Sequence, residues 1–276
     1  MGFIESIIYG VISGLTEIFP VSSQANQFVM RHLFGVSQKE PIRDLLVHIA
    51  ILAAIIFACR GMFAKINREQ ALAHRMRKNP SQIRALKGVY DMRLVRTAAP
   101  IMLVGMFANL FFQNFYDNRP FFVLMLIING VFTLVPTYMH QGNRDARTMT
   151  SLDGMLVGLA AAFSAVPGIS RNGAIMFTTL VRKADKQNGV TWALILSVPA
   201  MAMYVLLDFI SMFTVGIGAI SFATIGGYVL SMLFAFIGAY LGVLLIRRLI
   251  NRADYSAFAY YDFGLAMLSF ALYLIA

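Results

Sequence analysis

Apolar runs alternate along this chain with short polar or basic segments. A membrane-spanning helix takes about 17–25 predominantly apolar residues. Six stretches can be drawn at about that length: residues 44–59, 97–115, 121–140, 190–210, 223–246 and 257–276. Two further apolar regions, 2–34 and 152–180, are each interrupted in the middle. The first carries Gly14-Leu15-Thr16-Glu17-Ile18-Phe19-Pro20-Val21-Ser22-Ser23, the second Pro167-Gly168-Ile169-Ser170-Arg171-Asn172-Gly173. Proline removes a helix donor and disfavours helical geometry in the residue before it, so each region predicts two short helices meeting at a break.

Charge orients these elements. Residues 60–96 hold ten Lys and Arg against the two acids Glu69 and Asp91, and predict a basic cytoplasmic loop. Counting outward from it, 18 of the 23 basic residues fall on the cytoplasmic side. The count holds if each broken region enters and leaves on one face, as a re-entrant hairpin. Residues 2–140 then read as a hairpin followed by three crossings, and 152–276 as the same plan inverted. Pro20-x-x-Ser23 and Pro167-x-x-Ser170 even share a spacing. The expected fold is an all-α polytopic membrane protein, one integral-membrane domain over 1–276. It has six transmembrane helices plus two re-entrant helical hairpins in inverted-topology repeats. Such a plan places a polar site between the halves, with the breaks facing each other.

Composition narrows the class. The chain is 59% hydrophobic and 13% charged, too apolar for an ordinary soluble domain. Its net charge of +10 gathers between the apolar runs, which argues for a membrane rather than nucleic acid as partner. The single cysteine, Cys59, excludes an internal disulfide framework and reads as a small buried hydrophobe. Glu5 stands where a cleavable signal would carry basic residues, so none is expected.

The chemistry concentrates in the two breaks. A full charge at membrane depth costs roughly 2.5–3.5 kcal/mol on insertion scales and is kept where it faces protein or a wet cavity. Arg171 offers a donor fork that matches phosphate oxygens, Gly168 and Gly173 allow close backbone approach, and the helix start beyond them adds free N–H groups. The competing reading has the glycines packing helices and Arg171 bonding loose carbonyls. Glu17 is a candidate base or ligand for a hard cation, Mg²⁺ or Ca²⁺, and Ser23 a candidate nucleophile toward phosphorus. Alternatively, Ser22 and Ser23 cap a helix while Glu17 neutralises an arginine. Together these groups imply a phosphate-bearing amphiphile. There is no G-x-x-x-x-G-K-[ST] loop and no H-E-x-x-H. His48 reads as a hydrogen-bonded packing residue and Asp208 as an interfacial one.

Gly14-Leu15-Thr16-Glu17 with Pro20-Val21-Ser22-Ser23, and Pro167-Gly168-Ile169-Ser170-Arg171 with Gly173, resemble the two main motifs of the bacterial undecaprenyl-pyrophosphate phosphatases associated with bacitracin resistance. Weaker echoes are Asp44-Leu45-Leu46-Val47-His48, Ser197-Val198-Pro199-Ala200 and Phe258-Ala259-Tyr260-Tyr261. The resemblance runs the length of the chain. It implies a multi-pass protein of the bacterial plasma membrane that hydrolyses undecaprenyl pyrophosphate to the monophosphate with a divalent cation, at a site open to the outer face. It implies Glu17 as the acidic and metal-binding residue, Ser23 as nucleophile or phosphate ligand, and Arg171 as the pyrophosphate clamp. Ser22, Ser170, Asn172, Gly168, Gly173, Asn26 and Ser13 are expected around the substrate. A second copy of the chain is a further expected partner. The chain departs from the family pattern at Ser13, where a second glutamate is usual, and at Gln24-Ala25-Asn26, in place of Thr-Gly-His. Asn172 stands for a serine and Asp262 for an arginine. The lost acid and imidazole are acid–base partners. Two other expectations therefore stand beside the phosphatase: a polyprenyl-phosphate transporter or flippase, and a non-catalytic lipid-phosphate-binding paralogue.

Overall fold

A computed structural model of the chain describes residues 1–36, 40–75, 92–112, 119–140, 142–214, 221–249 and 255–275. In chain order the helices are α1 (Phe3–Ile18), α2 (Ser23–Leu33), α3 (Pro41–Arg75), α4 (Arg93–Met106), α5 (Arg119–Tyr138), α6 (Ser151–Ala162), α7 (Arg171–Val181), α8 (Lys186–Thr214), α9 (Phe222–Leu249) and α10 (Ser256–Ile275). A single helical turn, Asn109–Phe112, follows α4, and a 3₁₀ turn, Phe163–Ala165, follows α6.

Six of these helices are long and apolar enough to cross a membrane: α3, α4 with its following turn, α5, α8, α9 and α10. They coincide with the six stretches drawn from hydropathy. Large apolar side chains lie exposed on all of them, among them Phe57, Val104, Leu124, Phe209, Leu233 and Met267, as lipid-facing surfaces require. α1, α2, α6 and α7 have 16, 11, 12 and 11 residues. At 1.5 Å per residue none of the four reaches across a hydrocarbon core of about 30 Å.

One expectation changes. The basic segment 60–96 does not begin as a loop, because α3 continues to Arg75 and α4 already starts at Arg93; residues 76–91 lie outside the described part. Ala64, Ala71, Leu72 and the long charged side chains between them favour helix in water as well as in lipid, and Lys65 pairs with Glu69 at 3.9 Å. Hydropathy marks where a helix leaves the bilayer, not where it ends.

The most extensive contact is α1 on α9, followed by α4 on α6, with α3 against both α9 and α8 and α5 against α10. Small residues make the first two possible. Gly10 and Gly14 lie on the backbone of Ser231, Ala235 and Ala239, and a Cβ on Gly14 would stand 2.6 Å from the Ala239 nitrogen. Gly154 and Gly158 meet α4 in the same manner, a Cβ on Gly158 falling 2.6 Å from the Ala98 oxygen. Where lipid competes equally for apolar side chains, such backbone approach is a main source of helix association. Cys59 is fully buried in the core, as read.

Arg–Asp pairs tie down the short helices away from the breaks. Arg31, at the end of α2, donates to Asp44 of α3 at 2.6 and 2.7 Å and to the Tyr9 hydroxyl of α1 at 2.9 Å. Asp153, in the first turn of α6, accepts from Arg182 Nε at 2.5 Å, Arg144 Nη2 at 2.8 Å and the Thr150 backbone N–H at 2.7 Å. Burial alone would raise the Asp153 carboxyl; the Thr150 N–H, Arg182 and Arg144 hold it well below the usual carboxylate range.

Two outcomes follow for unfolding of the purified protein. Gly14→Val should lower the melting temperature, by an overpacking cost of about 1–3 kcal/mol. Gly61→Ala, whose added Cβ meets nothing within 4 Å, should not lower it. Because the Asp153 carboxyl is depressed on folding, its contribution to stability is complete above its unfolded value of about 4 and is lost as pH falls through the lower folded value. Asp153→Asn should lower stability near neutral pH and reduce this acid-side loss, read from melting temperature against pH.

Candidate active site

α1 stops at Ile18 because Phe19 is extended (φ −75°, ψ 158°) ahead of Pro20. The chain restarts as α2 when Ser22 Oγ accepts the Ala25 N–H at 3.2 Å. In the second half the chain passes Gly168 at φ +99°, a conformation that favours glycine, and α7 starts when Ser170 Oγ accepts the Gly173 N–H at 3.1 Å. The shared Pro-x-x-Ser spacing is therefore not a shared role. Ser22 and Ser170 are the caps, and Ser23 corresponds to Arg171 as first residue of its helix, because the turn after Pro167 holds one more residue.

With the third N–H of each helix bonded to its cap, those of Ser23 and Gln24 in α2 and of Arg171 and Asn172 in α7 have no partner within their helix. All four residues line one cavity, with Thr16, Glu17, Val21, Ile169, Ser170 and Tyr204. Two helix N-termini therefore converge on one space, each contributing partial positive charge.

Side-chain amides stitch the breaks together. Asn172 Nδ2 donates to the carbonyls of Glu17 and Ile18, both at 2.9 Å, taking up unpaired acceptors at the end of α1. From α5, Asn129 accepts the Ser170 N–H at 2.8 Å and reaches the Pro20 carbonyl at 3.5 Å, while Thr133 Oγ1 donates to that carbonyl at 3.2 Å. Gly173 lets α7 pass close to Pro20, whose oxygen would lie 3.2 Å from a Cβ.

At the centre, Arg171 Nη1 lies 3.0 Å from Glu17 Oε1, with side chains 3% and 5% exposed. Arg171 Nη2 donates to Ser197 Oγ at 3.2 Å, and the guanidinium stands 5.9 Å above the Tyr204 ring. Nη1 is engaged by Glu17, whereas Nε makes no hydrogen bond among the described residues and is the donor outside the pair. Behind Tyr204 the His48 ring stacks at 5.2 Å, and His48 Nδ1 meets Asp208 Oδ2 at 2.5 Å. His48 is thus a hydrogen-bonded packing residue, as read. Asp208, read as interfacial, turns its carboxylate toward the imidazole, a partner that lipid does not offer.

Of the residues expected at the site, Glu17, Ser23, Ser170, Arg171 and Asn172 converge on the cavity. Ser23 Oγ makes no hydrogen bond among the described residues, whereas Ser22 is fully buried as a cap. Ser22, Asn26, Ser13, Gly168 and Gly173 do not line the cavity. Asn26 is consumed locally, donating to the Ser22 carbonyl at 2.9 Å and accepting from the Tyr261 hydroxyl. Ser13 is buried one turn before Glu17, its hydroxyl without a hydrogen bond among the described residues, and Gly168 packs on α5. Tyr204, Gln24 and Thr16 are lining residues that the motifs alone did not single out. Tyr204 follows Ser197 by two helical turns, so helical periodicity puts both on one face of α8. Glu17 is the one acidic side chain in this lining, and no three His, Cys, Asp or Glu cluster as a metal cage among the described residues. A cation fits here only if a ligand brings most of its oxygens.

The family model for bacitracin resistance protein BacA matches residues 6–268. Among curated proteins the chain is similar to undecaprenyl-diphosphatase 3 of Bacillus cereus, 26% identical over 269 residues, 97% of this chain and 96% of that protein. It is similar to undecaprenyl-diphosphatase of Methanococcus vannielii, 26% identical over 260 residues covering 94% and 96%. It is likewise similar to undecaprenyl-diphosphatase 1 of Shouchella clausii, 26% identical over 276 residues covering 98% and 96%.

Asn172→Ala leaves the Glu17 and Ile18 carbonyls unpaired and should destabilise the protein by about 1–3 kcal/mol. The check is a melting temperature below that of Thr191→Ala, which loses one exposed bond to Gln187.

Proposed function

The chain belongs to the bacitracin resistance protein BacA family, and we propose that it hydrolyses undecaprenyl pyrophosphate to the lipid monophosphate and inorganic phosphate. The observation that carries this reading is the buried Glu17–Arg171 pair at 3.0 Å, set where the N-termini of α2 and α7 face one cavity. That arrangement suits a polyanion carried on an apolar tail: lipid-facing helices outside, an electropositive cradle within.

In this mechanism Arg171 and the free N–H groups of Ser23, Gln24, Arg171 and Asn172 bind the phosphate oxygens. The arriving anion competes with Glu17 for the guanidinium and frees the carboxylate. Ser23 Oγ attacks the terminal phosphorus, its proton passing to Glu17. The Oγ–P bond forms as the anhydride P–O bond breaks, and the lipid monophosphate leaves with the bonding electrons. Water then attacks that phosphorus, the Oγ–P bond breaks with its electrons passing to Oγ, Glu17 returns its proton to Oγ, and the phosphate leaves carrying the water's oxygen and protons. A divalent cation, Mg²⁺ or Ca²⁺, held by Glu17 and the substrate's own oxygens, would neutralise charge on the leaving phosphate.

The fold reading extends in the same direction. α1–α2 and α6–α7 act as re-entrant hairpins in inverted repeats, with the basic residues flanking α3 and α4 on the cytoplasmic face of the bacterial plasma membrane and the cavity opening outward. Support comes from the packing scheme, in which several of the main helix contacts correspond when the halves are exchanged. α1 on α9 corresponds to α6 on α4, α3 on α9 to α8 on α4, and α7 on α5 to α2 on α10. The same exchange favours a second reading, translocation of a polyprenyl phosphate between the halves.

In a phosphate-release assay on undecaprenyl pyrophosphate, the wild type should turn over and a chelator should suppress it. Ser23→Ala and Arg171→Ala should each remove turnover, and Glu17→Gln should reduce it about 10²–10⁴-fold. Normal release by Arg171→Ala overturns the proposal. Lipid translocation in liposomes without phosphate release selects the second reading.

A further inference from the structure

Asp262 is a charged-type side chain that the proposed chemistry leaves unused. It stands on the spanning helix α10 with no exposed surface, at a position where the family resemblance implies an arginine. Its Oδ2 accepts from Asn129 Nδ2 at 2.7 Å, and Oδ1 makes no hydrogen bond among the described residues. The groups turned toward it are neutral: Asn129 from α5, the backbone N–H of Ser22 from the first break, and on α10 itself the phenol of Tyr261. No cationic side chain pairs with it among the described residues. An ionised carboxylate enclosed in this way, without counter-charge, is strongly disfavoured, and proton uptake relieves it.

Asn129 gives this position its consequence. Its Oδ1 is committed to the Ser170 N–H at 2.8 Å, so its amide nitrogen must face Asp262 and the Pro20 carbonyl. One amide thereby joins the acid to both breaks. When ionised, Asp262 places a negative charge behind the start of α7, where it opposes a second anion in the cradle. When protonated, it does not.

We infer that Asp262 is a proton-binding site coupled through Asn129 to the anion cradle, so that a lipid pyrophosphate binds together with a proton. The identity of the ligand rests on the function proposed above. Because binding linkage is reciprocal, the anion also raises the proton affinity of the acid.

The test uses full-length protein in lipid nanodiscs, as wild type and Asp262→Asn, which keeps an acceptor for Asn129 and matches the protonated acid in charge. Infrared spectra report protonated carboxyl groups as a function of pH, and undecaprenyl pyrophosphate binding is measured at the same pH values. The expected result is a carboxyl band missing from Asp262→Asn, whose titration moves to higher pH when the lipid binds. Wild-type affinity should weaken by about tenfold relative to Asp262→Asn as pH rises through that titration; the ligand's own ionisation is common to both proteins. A band absent at every pH overturns the proton site. A band whose titration is unmoved by bound lipid overturns the coupling. If neither protein binds the lipid while the band still titrates, the assignment of the cavity fails and the proton site stands. Should Asp262→Asn not assemble, Asn129→Ala keeps the acid but cuts its link, and its band should titrate without responding to lipid.

Discussion

A guanidinium and a carboxylate can be held among lipid-facing helices only if each compensates the other and the surrounding backbone is satisfied. The Glu17–Arg171 pair imposes that condition on the rest of this protein. Neither charge lies in the middle of a continuous helix. Glu17 is at the end of α1 and Arg171 at the start of α7, where helices expose unpaired groups that need partners. Asn172, Asn129 and the caps Ser22 and Ser170 supply partners for several of those groups. The starts of α2 and α7 share one space with the pair.

Delivering two helix ends to one place requires that the short helices be held firmly. The glycines of α1 and α6 serve this purpose, since each lets a short helix lie directly on the backbone of a spanning helix from the other half. The Arg31–Asp44 and Arg182–Asp153 pairs close the far ends. The cavity is consequently lined mainly from the short helices and the breaks between them, with Tyr204 of the long helix α8 beside them.

The departures from the family pattern acquire distinct meanings in this frame. Asn172 substitutes a stitch for a hydroxyl. Asn26 is bound into the start of α2 and against Tyr261, away from the cavity, so it does not stand in for the missing imidazole. Ser13 leaves Glu17 as the one acid of the lining. Asp262 moves an acid to the rear of the breaks, where Asn129 ties it to both.

Much of this could be read from the chain itself. The six spanning helices, the two breaks, the convergence of Glu17, Ser23 and Arg171, and the packing role of His48 follow from two strong local constraints: apolar length needed to cross lipid, and the cost of isolated charge within it. Three-dimensional placement decided the remainder. Hydropathy could not mark the end of α3, because helix propensity persists beyond the bilayer. Equal Pro-x-x-Ser spacing could not reveal that Ser22, not Ser23, is the cap, since a turn of one extra residue shifts the register. Nor could local sequence show that Asn129, Tyr204 and Asp262 surround the breaks. Each lies far away along the chain, on a helix whose rotation is set by packing rather than by its own residues.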